Sequence, residues 1–134
     1  MRSAGINWLA VIAAAVAFYL IGFLNYGMIV PEETQMALGG LTEADKALAE
    51  TRMMFGVLMP IATAIFMALL FKWAQVAGAS KGAQWGMVIA LASAVPTVWY
   101  SWVYGAMPAE MSLIDSAHLL LGHVTVGAIL GAWK

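Results

Sequence analysis

The residues best suited to chemistry in this chain are an aspartate and two histidines near its carboxyl end. Asp115 precedes His118 by three residues, so on a helix the carboxylate and the imidazole can pair. His123 follows His118 by five residues, about 140° further round the helix. The two imidazoles therefore cannot clamp one metal ion, and a haem would need a single axial histidine or a second protomer's histidine. We predict no metal ligands, no cofactor and no catalytic residues from this pattern.

These residues lie in a strongly apolar chain. Of its 134 residues, 63% are hydrophobic and 10% are charged, and its mean hydropathy is +0.88. A soluble domain is about half apolar and about a quarter charged. Because a chain this small must expose much of itself to its solvent, that solvent has to be lipid.

Four apolar segments are long enough to cross a bilayer as helices, which takes about 20 residues each. They cover residues 6–30, 52–76, 82–105 and 113–133. We expect an all-α fold: a single domain over residues 1–134 that forms an integral membrane four-helix antiparallel bundle. The first segment is about twice the length of a signal-peptide core, and we expect it to be retained.

The basic residues are unevenly distributed about these segments. One side has two, Lys46 and Arg52, together with all seven acidic residues. The other side has four: Arg2, Lys72, Lys81 and Lys134. The positive-inside rule then places both termini in the cytoplasm.

Two connections carry helix-start signals. In the outer connection, residues 31–51, Thr42 and Asp45 predict a capping box and a short helix over 43–50 that could run into the second segment. Ser112 and Asp115 show the same pattern and predict the start of the fourth helix. The short connection 77–81 predicts that helices two and three form a hairpin.

Two prolines interrupt apolar segments at equal depth. Pro60 and Pro96 each lie about 12 Å from the outer surface by helix rise, and each removes a backbone donor. They are either kinks satisfied by neighbouring helices or the origin of a cavity in the outer half. The candidate ligand-binding residues of such a cavity are Asn25, Tyr26, Arg52, Thr97, Ser101, Tyr104, Asp115 and His118.

A small-residue face on the fourth segment predicts close helix packing. Gly127 and Gly131 are four residues apart, a spacing that lets another backbone approach. His123 is expected to join this face as a residue that forms hydrogen bonds between helices.

Several short motifs resemble one protein family. They are Ile6-Asn7-Trp8-Leu9-Ala10-Val11, Gly22 with Tyr26-Gly27, Gly40-Leu41-Thr42-Glu43, Gly122-His123 and Gly131-Ala132-Trp133. The chain resembles the DUF1761 family of small four-span bacterial membrane proteins of unknown function. Asn25 departs from it, because such proteins often have Trp before the equivalent Tyr. The resemblance implies the fold and a location in the bacterial inner (cytoplasmic) membrane, and it supplies no catalytic residues.

Two classes of function fit these observations. In the first, which we favour narrowly, the protein acts through helix contacts in the lipid bilayer as a homo-oligomer or an accessory subunit. In the second it binds or carries a small, mostly apolar molecule in the outer half. A haem- or metal-bearing membrane protein is the third reading. The net charge of −1 offers no basic surface for nucleic acid, and no pattern indicates an enzyme.

Overall fold

The computed structural model describes residues 2, 3 and 5–133, and it is almost entirely helical. The chain begins with a small antiparallel pair of strands, β1 (Arg2–Ser3) and β2 (Ile6–Asn7). Gly5 makes the turn between them with a φ of 74°, which favours glycine. The side-chain oxygen of Asn7 then accepts a hydrogen bond from the Ala10 N–H and caps the first helix.

Four long helices follow, and a short helix joins the first two. The first long helix consists of α1 (Trp8–Leu24) and a π turn (Asn25–Ile29). The short helix is α2 (Glu32–Gly39). The second long helix consists of α3 (Glu43–Arg52), a 3-10 turn (Met53–Val57) and α4 (Leu58–Trp73). The third consists of α5 (Ala79–Ile89), a π turn (Ala90–Ala94) and α6 (Val95–Tyr104), and the fourth is α7 (Ala109–Ala132).

All four long helices are long and apolar enough to cross a membrane, as the sequence predicts. The second has 31 residues, more than a crossing needs, so its charged first turns extend beyond the apolar stretch. There the predicted capping box between Thr42 and Asp45 is confirmed. Hydrogen bonds from Thr42 lower the pKa of the Asp45 carboxyl.

The prediction for the start of the fourth helix was wrong. This helix begins at Ala109, after Pro108, rather than at Ser112. Ser112 is fully buried in its first turns, and its hydroxyl donates to the Pro108 carbonyl. Pro108 sets the start because its fixed φ suits the residue that leads into a helix.

An irregular turn precedes each proline that interrupts an apolar segment. The π turn at 90–94 leads to Pro96, and the 3-10 turn at 53–57 leads to Pro60. Because proline lacks an N–H and its ring crowds the preceding turn, the helix changes its hydrogen-bonding pattern there. Pro60 is buried whereas Pro96 is exposed, so the two prolines have different surroundings.

The fourth long helix is the centre of the packing. It contacts the other three, the first long helix lies between it and the second, and the third packs mainly on the fourth. The predicted hairpin of helices two and three is wrong: their connection is short, but the described residues of the two helices share almost no contact. The buried core joins the first, second and fourth helices and includes Ala10, Ala14, Phe18, Ala64, Met67, Phe71, Val126 and Leu130.

Glycines bring the third and fourth helices together. Gly82 lies against Gly127 so closely that a Cβ on either would overlap the other's carbonyl oxygen. One turn away the Gly78 N–H donates to the Gly131 carbonyl at 2.8 Å. Rising numbers on one helix meet falling numbers on the other, so the two helices run in opposite directions.

Candidate functional site

Four polar side chains gather where the far end of the first long helix meets the fourth. We call Asn25, Tyr26, Asp115 and His118 the Tyr26 cluster. The Tyr26 hydroxyl donates a hydrogen bond to Asp115 Oδ1. The His118 ring stands edge-on to Tyr26 with ring centroids 5.2 Å apart. Asp115 is therefore bonded across helices to Tyr26, where the sequence suggested a pair with His118 on its own helix.

Phe18 and Gly22 form the inner boundary of this cluster. The Phe18 ring lies 5.4 Å from His118 and 5.4 Å from His123, measured between ring centroids. A Cβ added to Gly22 would lie 3.1 Å from His118 Nε2, so glycine makes room for the imidazole. Because Phe18 contacts both histidines, the cluster ends at this ring and His123 belongs to the packed interior.

His123 is satisfied within its own helix. It is only 7% exposed, and its Nδ1 lies 2.8 Å from the Leu119 carbonyl oxygen. A carbonyl can only accept, so Nδ1 carries the proton in this bond. The bond runs along the fourth helix rather than between helices, which differs from the expectation for this residue.

The short helix α2 braces the π turn beside the cluster. Gln35 Nε2 donates to the Tyr26 carbonyl at 2.6 Å and to the Val30 carbonyl at 2.8 Å. A π turn at a helix end leaves carbonyls that need donors. The sequence analysis did not predict α2 or the role of Gln35. A helix signal was present: Pro31 and two acidic residues mark a start, and Gly39-Gly40 marks an end.

Asp115 and Asn25 have unused hydrogen-bonding capacity. Within residues 5–133 no cationic side chain forms an ion pair with Asp115, and the one such pair there is Lys46 with Glu32. The Nδ2 of Asn25 is buried and makes no hydrogen bond with any residue that the structure describes. A buried amide without a partner and a carboxylate without a counter-ion both favour a bound group.

The other four predicted site residues lie elsewhere. Arg52 is exposed at the end of α3, and Thr97, Ser101 and Tyr104 are exposed on the third long helix. Thr97 satisfies its hydroxyl by donating to the Ser93 carbonyl at 2.7 Å. The structure thus brings four of the eight predicted residues together. It leaves Arg52 on the second long helix and the other three on the exposed side of the third.

One cavity lies at the opposite end of the bundle from the Tyr26 cluster. Its volume is about 320 Å³, and the ends of the first, second and fourth long helices line it. A shallower depression lies over Tyr100, Ser101 and Tyr104. Neither is placed between Pro60 and Pro96, where the sequence suggested an opening.

Residues 9–131 match a family described as a protein of unknown function (DUF1761). The chain belongs to this family. The resemblance seen in the short motifs is therefore confirmed over nearly the whole chain. No curated protein and no solved structure matches it.

In this DUF1761 protein the Tyr26 cluster brings together titratable side chains from two helices. Across the described part of the chain, no group of three or more His, Asp or Glu side chains is arranged to hold a metal ion. The half-buried cluster offers one carboxylate, one amide donor and two rings, and Phe18 at its boundary adds a third ring. Such a set can hold a cation or a hydrogen-bonding group on an apolar molecule.

Proposed function

We propose that this protein is a four-span antiparallel membrane bundle that binds a small, mostly apolar molecule with one positive charge at the Tyr26 cluster. The observation that carries the proposal is the Asp115 carboxylate between the first and fourth long helices, with Tyr26 as its donor and no cationic partner among residues 5–133. This develops the binder that sequence analysis placed second.

A bound cation offsets the cost of the carboxylate. An ionised group in apolar surroundings is expensive unless it is paired and hydrogen-bonded. Tyr26 supplies one hydrogen bond, and a protonated amine supplies the opposite charge. The rings of Phe18 and Tyr26 both contact the His118 ring, and such a group of rings favours a cation and its apolar body.

The distribution of charge supports an outward-facing cluster. By the positive-inside rule, both termini lie in the cytoplasm, and the connection 31–51 and the cluster lie toward the outside. In this orientation α2 covers the outer end of the cluster through Gln35.

A charge-matched pair of probes tests the proposal. Benzylamine should raise the melting temperature of the detergent-solubilised protein, and benzyl alcohol, of similar shape but neutral, should not. Asp115→Asn should weaken benzylamine binding by about tenfold or more, since truncating a charge pair costs several kcal/mol. Glu110→Gln, an exposed acid on the same helix, is the matched control and should bind as wild type. Equal benzylamine shifts in Asp115→Asn and wild type contradict the proposal.

Assembly through the third long helix is a second candidate, and one observation favours it. This helix buries only 11% of its most apolar stretch, against 28% for each of the other three. Its exposed surface carries Ser93, Thr97 and Ser101 at four-residue spacing, a pattern that favours close helix approach in membranes. A second copy or another membrane subunit would bury this face.

Crosslinking separates this candidate from a lipid-facing helix. Thr97→Cys in membranes should give a disulfide-linked dimer on oxidation, whereas Leu20→Cys, exposed on the first helix, should give much less. Equal yields at the two positions would leave no support for assembly through the third helix.

A further inference from the structure

Asn25 gives the Tyr26 cluster a hydrogen-bonding group that a bound cation does not use. Its backbone is satisfied: the N–H donates to the carbonyls of Ile21 and Gly22, and the carbonyl accepts from the Val30 N–H at 2.9 Å. Its side-chain Nδ2 is buried and makes no hydrogen bond with any residue that the structure describes. Because a buried donor without a partner costs free energy, this amide favours a ligand that carries an acceptor.

The Tyr26 hydroxyl relates this amide to the Asp115 carboxylate. The hydroxyl donates to Asp115 Oδ1, and the Asn25 side chain lies beside the same hydroxyl. An amide nitrogen has two N–H groups, so even a contact with the hydroxyl oxygen leaves one of them for a ligand. The amide and the carboxylate thus flank one oxygen atom. The two groups of a ligand that reach them must be only a few atoms apart.

The surrounding backbone holds both groups in place. Asn25 and Tyr26 begin the π turn 25–29, and Gln35 Nε2 donates to the Tyr26 carbonyl at 2.6 Å. Asp115 lies within the regular helix α7. The amide and the carboxylate are therefore positioned before a ligand enters, which reduces the entropy lost on binding. The residues of the cluster are partly exposed, so a ligand can reach them from the surface of the bundle.

The different chemistry of the two groups specifies the ligand. A carboxylate accepts hydrogen bonds and attracts a cation, whereas the nitrogen of an amide only donates. A protonated amine has donors alone, so it can pair with Asp115 and cannot satisfy Asn25. An ether oxygen can accept from Asn25. A hydroxyl is less suitable, because its own proton would need a further acceptor in apolar surroundings.

We propose that the ligand of the Tyr26 cluster is an apolar amine with an ether oxygen a few atoms from its nitrogen, the ammonium at Asp115 and the oxygen at Asn25 Nδ2. This inference rests on the proposed function, which requires only the ammonium. It makes Asn25 a specificity-determining residue. A site that donates to an oxygen discriminates against the analogue that lacks it, because the donor is then left unpaired.

Two amines of equal length and charge test the second contact. Benzyloxyethylamine has an ether oxygen where the terminal amine phenylbutylamine has a methylene group. In isothermal titration of the detergent-solubilised full chain, the wild type should bind the ether about tenfold more tightly. Asn25→Leu should bind both amines and prefer phenylbutylamine, because leucine has no donor and the methylene group is the more apolar. Thr97→Val is the matched control and should keep the wild-type preference, since the Thr97 hydroxyl already donates to the Ser93 carbonyl.

The change in preference between wild type and Asn25→Leu is the decisive quantity, because the partition of each amine into detergent is the same for both proteins. An unchanged preference, with both amines still dependent on Asp115, would overturn the role of Asn25 and leave the cation site intact. If wild type bound neither these amines nor benzylamine, the proposed function itself would fail, and this inference with it. Asn25→Ala, which also lacks the donor, gives the same comparison where Asn25→Leu does not fold.

Discussion

A few side chains give the Tyr26 cluster its character. Asp115 is held by Tyr26 from another helix, and Phe18 divides His118 from His123. The sequence identified Asn25, Tyr26, Asp115 and His118 as candidates because polar groups in apolar segments are costly. It did not identify Phe18, because an aromatic residue in an apolar run looks the same whether it faces lipid or a histidine.

The hydrogen bond between Tyr26 and Asp115 should contribute to the free energy of unfolding. Tyr26→Phe removes the hydroxyl and leaves the carboxylate without its donor, so the free energy of unfolding should fall by about 1–3 kcal/mol. Tyr100→Phe is the control, because Tyr100 is 64% exposed on the third long helix and its loss should change little. Denaturant unfolding in detergent measures both, and a Tyr26→Phe protein as stable as Tyr100→Phe would rule out a structural role for this bond.

Glycines decide how the third and fourth long helices pack. The sequence predicted a packed face at Gly127 and Gly131, and in the structure Gly82 and Gly78 lie opposite them. The series Gly78, Gly82, Gly86 has the same four-residue spacing and could have predicted the partner helix. The short connection between helices two and three instead predicted that these two helices pack together. That prediction was wrong because the glycine face of the third helix packs against the fourth.

A matched pair of glycine substitutions tests this contact. Gly127→Ala places a methyl group against the Gly82 carbonyl and should lower the free energy of unfolding by about 1–3 kcal/mol. Gly56→Ala meets nothing within 4 Å and should stay within about 0.5 kcal/mol of wild type. Thermal melting in detergent compares the two, and equal tolerance would show that the glycine face does not hold the helices together.

The whole molecule has two chemically different ends. The acidic residues, the connection 31–51 with Lys46, and the Tyr26 cluster belong to one, and Lys72, Lys81 and the cavity beside Trp133 belong to the other. The sequence predicted four apolar helices and this charge asymmetry, because both follow from composition along the chain. The cavity that it suggested between Pro60 and Pro96 stays a prediction, and in the structure Pro60 is buried and Pro96 is exposed.

The most direct test of the proposed orientation is to measure on which side of the membrane each of these two ends lies. The chain has no cysteine, so single cysteines can be labelled without background. Ala47→Cys lies in α3, within the connection 31–51, and Ser80→Cys lies in the first turn of α5, and both positions are exposed. A membrane-impermeant maleimide should label Ala47→Cys in intact spheroplasts and Ser80→Cys only after permeabilisation. Labelling of Ser80→Cys in intact cells, with Ala47→Cys protected, would contradict the orientation and would move the Tyr26 cluster to the cytoplasmic side.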